Sequence, residues 1–138
     1  MFPKESRFII IDDFATMRKI IKKVLVELGY TNIDEADDGA KALPMIELAV
    51  TTGNPYACII SDWNMPVMQG IDLLKNCKAN EKLKATPFVL VTAEGEQKQI
   101  IEAAKAGVSD YIVKPFNALT LKEKLQKVYI RHHGNAAA

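Results

Sequence analysis

Four polar positions stand where apolar runs stop: the pair Asp12-Asp13, then Asp62, Thr92 and Lys114. The first pair follows Phe8-Ile9-Ile10-Ile11, Asp62 follows Ala57-Cys58-Ile59-Ile60-Ser61, Thr92 follows Phe88-Val89-Leu90-Val91, and Lys114 follows Tyr111-Ile112-Val113. Two or three carboxylates, one hydroxyl and one ammonium brought together suit phosphoryl chemistry. Two carboxylates about 4 Å apart repel by roughly 4 kcal/mol at an effective dielectric near 20. Such a pair takes up a proton or holds a cation between its members. Lys114 offsets one charge but cannot serve three. A hard divalent ion with oxygen ligands fits the remainder, and Mg2+ accepts one or two carboxylates together with phosphate oxygens. Thr92 and Lys114 are donors suited to phosphoryl oxygens, and an aspartate in that company can be a covalent acceptor. The plain structural alternative is that one acid caps a helix, Lys114 pairs with another acid, and Thr92 satisfies backbone.

The runs preceding these positions are short and bounded by turn residues, which reads as buried strand. Between them lie helical periods. Met17, Ile20, Ile21, Val24, Leu25 and Leu28 form one inner face, with Arg18, Lys19, Lys22 and Lys23 outside and Gly29 as a stop. Asn32 to Ala36 is a weak strand candidate. Asp38 can cap a helix from Gly39 to about Val50, with Leu43, Ile46 and Val50 inward and a kink or local opening at Pro44. Ile71, Leu74 and Cys77 mark a third helix. A fourth, Glu96 to Ala106, faces inward through Ile100, Ile101 and Ala104. Asn117 can cap a fifth with Leu121, Leu125 and Val128 inside. Five runs alternating with five helices specify an α/β fold with a parallel sheet covered on both faces. The size favours a flavodoxin-like (βα)5 unit with strand order 2-1-3-4-5. Parallel strands then put all four polar ends at one edge, where ligands of such sheets bind.

With 138 residues, 49% apolar and 25% charged, the chain reads as one domain, 1–138, with a core over about 7–130 and a flexible tail at 131–138. His132 and His133 are read as solvated tail residues. A net charge of +1 gives no electrostatic case for nucleic acid or an anionic membrane. No apolar stretch is long enough to span a bilayer, and Met1 to Ser6 lacks a signal-peptide core. Cys58 and Cys77 lack CxxC spacing and read as reduced, packed thiols, so a cytoplasmic location is expected.

The motifs resemble those of response-regulator receiver domains, the single-domain chemotaxis regulators in particular. The matching residues are Asp12-Asp13, Asp62 within Asp-Trp-Asn-Met-Pro-Val-Met-Gln-Gly, Thr92-Ala93-Glu94, Ala106-Gly107, and Tyr111-Ile112-Val113-Lys114-Pro115-Phe116. The resemblance implies phosphorylation of Asp62 by a CheA-like histidine kinase. It also implies Mg2+ held by Asp13, Asp62 and the Asn64 backbone carbonyl with Asp12 acting through water, phosphoryl contacts from Thr92 and Lys114, and a cis Lys114-Pro115 bond. Tyr111 is implied to repack on activation; its residue type alone reads equally as a half-buried core aromatic. The output surface would combine Glu94, Gly95, Glu96 and Ile100 with Tyr111, Lys124 and Lys127. Its partner would be the flagellar motor switch or a phosphatase, with the regulator monomeric. Glu96 stands where chemotaxis relatives usually carry small or basic residues, which keeps open a phosphate sink without motor output. A Mg2+-dependent phosphohydrolase would want a second acid two residues past its nucleophile, but Phe14 follows Asp12 at that spacing and Asn64 follows Asp62. A flavin protein would want a phosphate loop after the first strand.

Overall fold

The computed structural model describes residues 1–93 and 97–133. Five strands and five helices alternate: β1 (Phe8–Ile11), α1 (Ala15–Glu27), β2 (Ile33–Ala36), α2 (Gly39–Thr51), β3 (Cys58–Asp62), α3 (Gly70–Ala79), β4 (Phe88–Thr92), α4 (Gln97–Lys105), β5 (Asp110–Val113) and α5 (Ala118–His133). The strands form one sheet in the order β2-β1-β3-β4-β5, every neighbouring pair parallel. This is the flavodoxin-like arrangement expected.

Strand periodicity splits the core in two. Ile9, Ile11, Ile59, Phe88 and Leu90 face α2, α3 and α4, where Ile46, Leu73, Leu74 and Ala103 meet them. Phe8, Ile10, Cys58, Ile60, Val89 and Val91 face α1 and α5, against Ile21, Leu25, Leu121, Leu125 and Val128. The central strands β1, β3 and β4 are buried at every residue, which is why they read as unbroken apolar runs. Edge strand β2 buries only Ala36, and its sequence is correspondingly weak. Cys58 and Cys77 are free and lie in opposite halves of the core. Burial pushes the Cys58 thiol far up and the Cys77 thiol up to about 11, so both are inert.

The caps follow the sequence. Asp38 Oδ1 accepts from Lys41 N at 2.8 Å, and Asn117 Oδ1 accepts from Thr120 N at 2.8 Å. Gly29, at φ 98°, closes α1 by donating to Val26 O while Tyr30 N donates to Leu25 O.

Four expectations need correction. Ile20, placed on the inner face of α1, is 45% exposed. Helix α2 continues through Pro44 rather than opening there, and its fully buried face is Gly39, Ala42, Ile46 and Ala49, with Leu43 and Val50 only partly covered. Helix α4 seats Ala103 fully and Ile100 partly, whereas Ile101 and Ala104 are exposed. Helix α5 runs to His133: His132 Nε2 lies 2.7 Å from Ser109 Oγ, and His133 stacks on Tyr129 at 4.5 Å between ring centroids. His132 is therefore half-buried and held, whereas His133 is exposed but part of the helix rather than of a frayed tail. The expectations for Glu94, Gly95 and Glu96, and for residues 134–138, lie outside the described residues.

Candidate functional site

Register places the polar strand ends side by side. Ile11 pairs with Ser61, Asp62 with Val91, and Thr92 with Val113, so Asp12, Asp62, Thr92 and Lys114 lie on four consecutive strands at the carboxyl edge. Backbone bonds extend the ladder past the strands: Asp12 N donates to Ala36 O at 3.1 Å, Trp63 N to Val91 O at 2.8 Å, and Lys114 N to Thr92 O at 2.7 Å.

Asp12 and Asp62 are buried, 1% and 7% exposed, while Asp13 is exposed. Carboxylate oxygens of all three lie within 4.8 Å of one another. Lys114 Nζ donates to Asp62 Oδ1 at 3.1 Å and reaches Asp12 Oδ2 at 3.4 Å. Asp12 Oδ1 accepts from Phe14 N at 2.9 Å, so the structural role of an acid at the start of α1 and its membership of the cluster hold together. Burial and the Asp12 charge push the Asp62 carboxyl above its usual value, and Lys114 opposes them. Three carboxylates against one ammonium leave the cluster short of positive charge, and its all-oxygen donor set suits a hard cation such as Mg2+.

The loop after Asp62 is tightly built. Gly70 opens α3 with its N–H donating to Trp63 O at 2.9 Å. A Cβ at Gly70 would stand 2.0 Å from the Asp62 carbonyl oxygen, so only glycine allows this approach. Trp63 is buried and Asn64 exposed. The Lys114-Pro115 bond is cis, as the resemblance implied.

Thr92 is buried, and its hydroxyl donates to Gln99 Oε1 on α4 at 3.4 Å, linking the strand end to that helix. Tyr111 is half-buried, with Lys124 Nζ 5.0 Å from its ring centroid. Lys124 also pairs with Asp110 Oδ1 at 3.1 Å. Ile100 is half-buried and Lys127 exposed. Tyr111 and Lys124 therefore lie together where α5 meets β5.

One residue near the acids has partners that its sequence position does not announce. Arg18, assigned to the solvent face of α1, donates from Nη1 to the Asp12 carbonyl oxygen at 2.6 Å and from Nε to Glu35 Oε1 at 3.1 Å. Periodicity places it outside the core correctly but says nothing of the loop beside it. A spacing of six from Asp12, one turn into the helix, is the only sequence signal for the contact.

A parallel (βα)5 sheet with acids, threonine and lysine at its carboxyl edge defines a phosphoacceptor-type signalling module. Residues 8–126 match the model of the response regulator receiver domain, and the chain belongs to that family. It is 54% identical over 128 residues to chemotaxis protein CheY-3 of Vibrio cholerae, a match covering 93% of this chain and 95% of the relative. The solved structure of chemotaxis response regulator CheY4 of Vibrio cholerae superposes with TM-score 0.80 at 32% identity, covering 90% of this chain and 98% of that one. The receiver domain of a sensor histidine kinase from Pseudomonas aeruginosa, solved with a magnesium ion in its active-site cleft, gives TM-score 0.78 at 26% identity, covering 89% and 96%. The chain is thus a CheY-like chemotaxis receiver domain, of a class that signals by phosphorylation rather than acting as an ordinary enzyme. The flavin and phosphohydrolase alternatives are set aside.

Proposed function

We propose that Asp62 accepts a phosphoryl group from the phosphohistidine of a CheA-like kinase, with Mg2+, and that residues 1–138 form a single receiver domain. The observation that carries this reading is the buried Asp62 carboxylate, beside Asp12 and bonded by Lys114 at 3.1 Å. A nucleophile must be ionised to attack. Burial and Asp12 work against that, and Lys114 works for it. A carboxylate oxygen of Asp62 attacks phosphorus; the new P–O bond forms as the P–N bond breaks, and the electron pair leaves on the donor imidazole nitrogen. Asp12, Asp13, Asp62 and the Asn64 backbone carbonyl would hold Mg2+, which when bound supplies charge neutralisation for the carboxylates and phosphoryl oxygens. Lys114 and Thr92 donate to phosphoryl oxygens.

The signal leaves through Thr92. Turning its hydroxyl toward a phosphoryl group on Asp62 gives up the bond to Gln99 on α4, a helix with one fully buried residue. Tyr111 then repacks, and the surface of Ile100, Tyr111, Lys124 and Lys127, together with Glu94, Gly95 and Glu96, binds its partner. A flagellar motor switch component is the partner we propose, in the cytoplasm. Glu96, an acid where the family resemblance leads to the expectation of small or basic residues, supports a phosphate sink as the second reading.

Labelling with acetyl phosphate tests the chemistry. Wild type should incorporate one phosphoryl group and Asp62→Ala none; labelling of Asp62→Ala at another residue would overturn the assignment. Capture of a flagellar switch peptide by the phosphorylated form alone favours motor output. Equal indifference of both forms favours the sink.

A further inference from the structure

Each polar group of Asp12 has a partner. Its N–H donates to Ala36 O at 3.1 Å, Oδ1 accepts from Phe14 N at 2.9 Å, and Oδ2 faces Lys114 Nζ at 3.4 Å. Its carbonyl oxygen accepts from Arg18 Nη1 at 2.6 Å. That guanidinium is itself seated: Nε donates to Glu35 Oε1 at 3.1 Å, and Lys22 Nζ lies 3.6 Å from Glu35 Oε2. Its side chain is 20% exposed. A single planar fork therefore joins β2, through Glu35, to the turn that carries Asp12 and Asp13.

We propose that Arg18, oriented by Glu35, is a positioning residue for the acid cluster: it fixes the Asp12 carbonyl and with it the placement of Asp12 and Asp13 toward a divalent cation. This rests on the Mg2+ reading above. The charge of Arg18 is of the wrong sign to help a cation directly. By Coulomb's law alone, its removal makes the cluster more negative and tightens cation binding. A contribution of the opposite sign can come only from geometry. Outer partners that orient ligands typically change metal affinity by about 10- to 100-fold when removed. Lysine keeps the charge but not the fork, so it cannot hold the carbonyl and Glu35 in the same arrangement.

The test is a Mg2+ titration of unphosphorylated protein, read by fluorescence of Trp63, the only tryptophan, which is buried next to Asp62. Wild type, Arg18→Met, Arg18→Lys and Glu35→Gln are compared, with a thermal melt of each in the absence of Mg2+. Arg18→Met should weaken Mg2+ binding by about tenfold despite the charge it removes, and Arg18→Lys and Glu35→Gln by a few-fold. A purely structural tie between α1 and β2 predicts lower melting temperatures with Mg2+ affinity unchanged, and that result overturns the proposal. So does tighter binding by Arg18→Met. If Arg18→Met does not fold, a folded Arg18→Lys that binds as wild type does overturns it equally. A wild type with no saturable response overturns the metal reading and this inference together, which separates the two failures.

Discussion

The Lys114 ammonium lies 3.1 Å from the Asp62 carboxylate and is the only cation among the described residues within hydrogen-bond reach of that side chain. Asp62 nonetheless keeps a raised pKa, because burial and Asp12 outweigh Lys114. An acid whose folded pKa lies above its ordinary value of 3.8 contributes stability that is complete below that value. The contribution is lost as pH rises through the folded pKa. Ionised Asp62 is therefore a cost to the fold at neutral pH. Asp62→Asn should melt higher than wild type at neutral pH, with the gap closing as pH falls through the raised pKa toward 3.8. Added Mg2+ should also narrow the gap by stabilising wild type preferentially. Thermal melts across that range check this, and a variant less stable than wild type at neutral pH would count against the electrostatic picture.

Gly70 and Asp62 are coupled by contact. A Cβ at position 70 would meet the Asp62 carbonyl oxygen at 2.0 Å, a backbone atom that cannot rotate away. Gly70→Ala should cost at least about 1–3 kcal/mol, as overpacking does. It should also slow acetyl phosphate labelling, because the relief available is displacement of the strand end that carries the acceptor. A destabilised variant that labels at the wild-type rate would show that the strand end stays in place.

The same loop holds a strained residue. Val67 has φ 67°, and Met68 N donates to Pro66 O across it at 2.7 Å. This is a γ-turn with a positive central φ, a rare and strained form. Val67 is 86% exposed, so little packing is lost on replacement. Val67→Gly should stabilise the fold by about 1 kcal/mol, since a strained positive φ costs a β-branched residue about 1–3 kcal/mol and glycine carries no Cβ there, less the freedom it adds to the unfolded chain. Val67→Asn should gain less, because asparagine suits the left-handed helical region rather than a γ-turn. Urea unfolding would measure both, and loss of stability in both would remove the strain argument.

What the sequence revealed follows the range of the forces involved. Strand order, the buried strands and the convergence of Asp12, Asp62, Thr92 and Lys114 depend on periodicity and on where apolar runs stop, which are local signals. The Asp38 and Asn117 caps are also local. Contacts between elements were not visible. Arg18 sits correctly outside the core of α1, yet its partners lie on the β1–α1 turn and on β2. The inner face of α4 was misassigned because two adjacent isoleucines, Ile100 and Ile101, fit the helical period equally. Packing against the sheet chose Ile100 and Ala103. The end of α5 escapes the sequence because no large apolar residue follows Ile130, and its anchorage is a polar contact with a loop more than twenty residues earlier.

That anchorage carries a pH dependence. Ser109 Oγ accepts from Phe88 N at 3.0 Å and lies 2.7 Å from His132 Nε2, while Arg131 Nη1 donates to the Ser109 carbonyl at 3.0 Å. Burial, then Lys78, His133 and Arg131, hold the His132 pKa below its ordinary 6.5. A group with a depressed folded pKa contributes stability that is present above the ordinary value and lost as pH falls through the folded one. The fold should therefore weaken on acidification below 6.5. His132→Gln, which keeps an acceptor and does not titrate, should flatten that part of the profile. Ser109→Ala should lose more, about 1–3 kcal/mol, because it leaves the buried Phe88 N–H without its acceptor. Its profile should still slope, since His132 stays in place. Denaturant unfolding of the three proteins across this pH range reads both effects, and an unchanged slope in His132→Gln would show that His132 is not the source of the acid sensitivity.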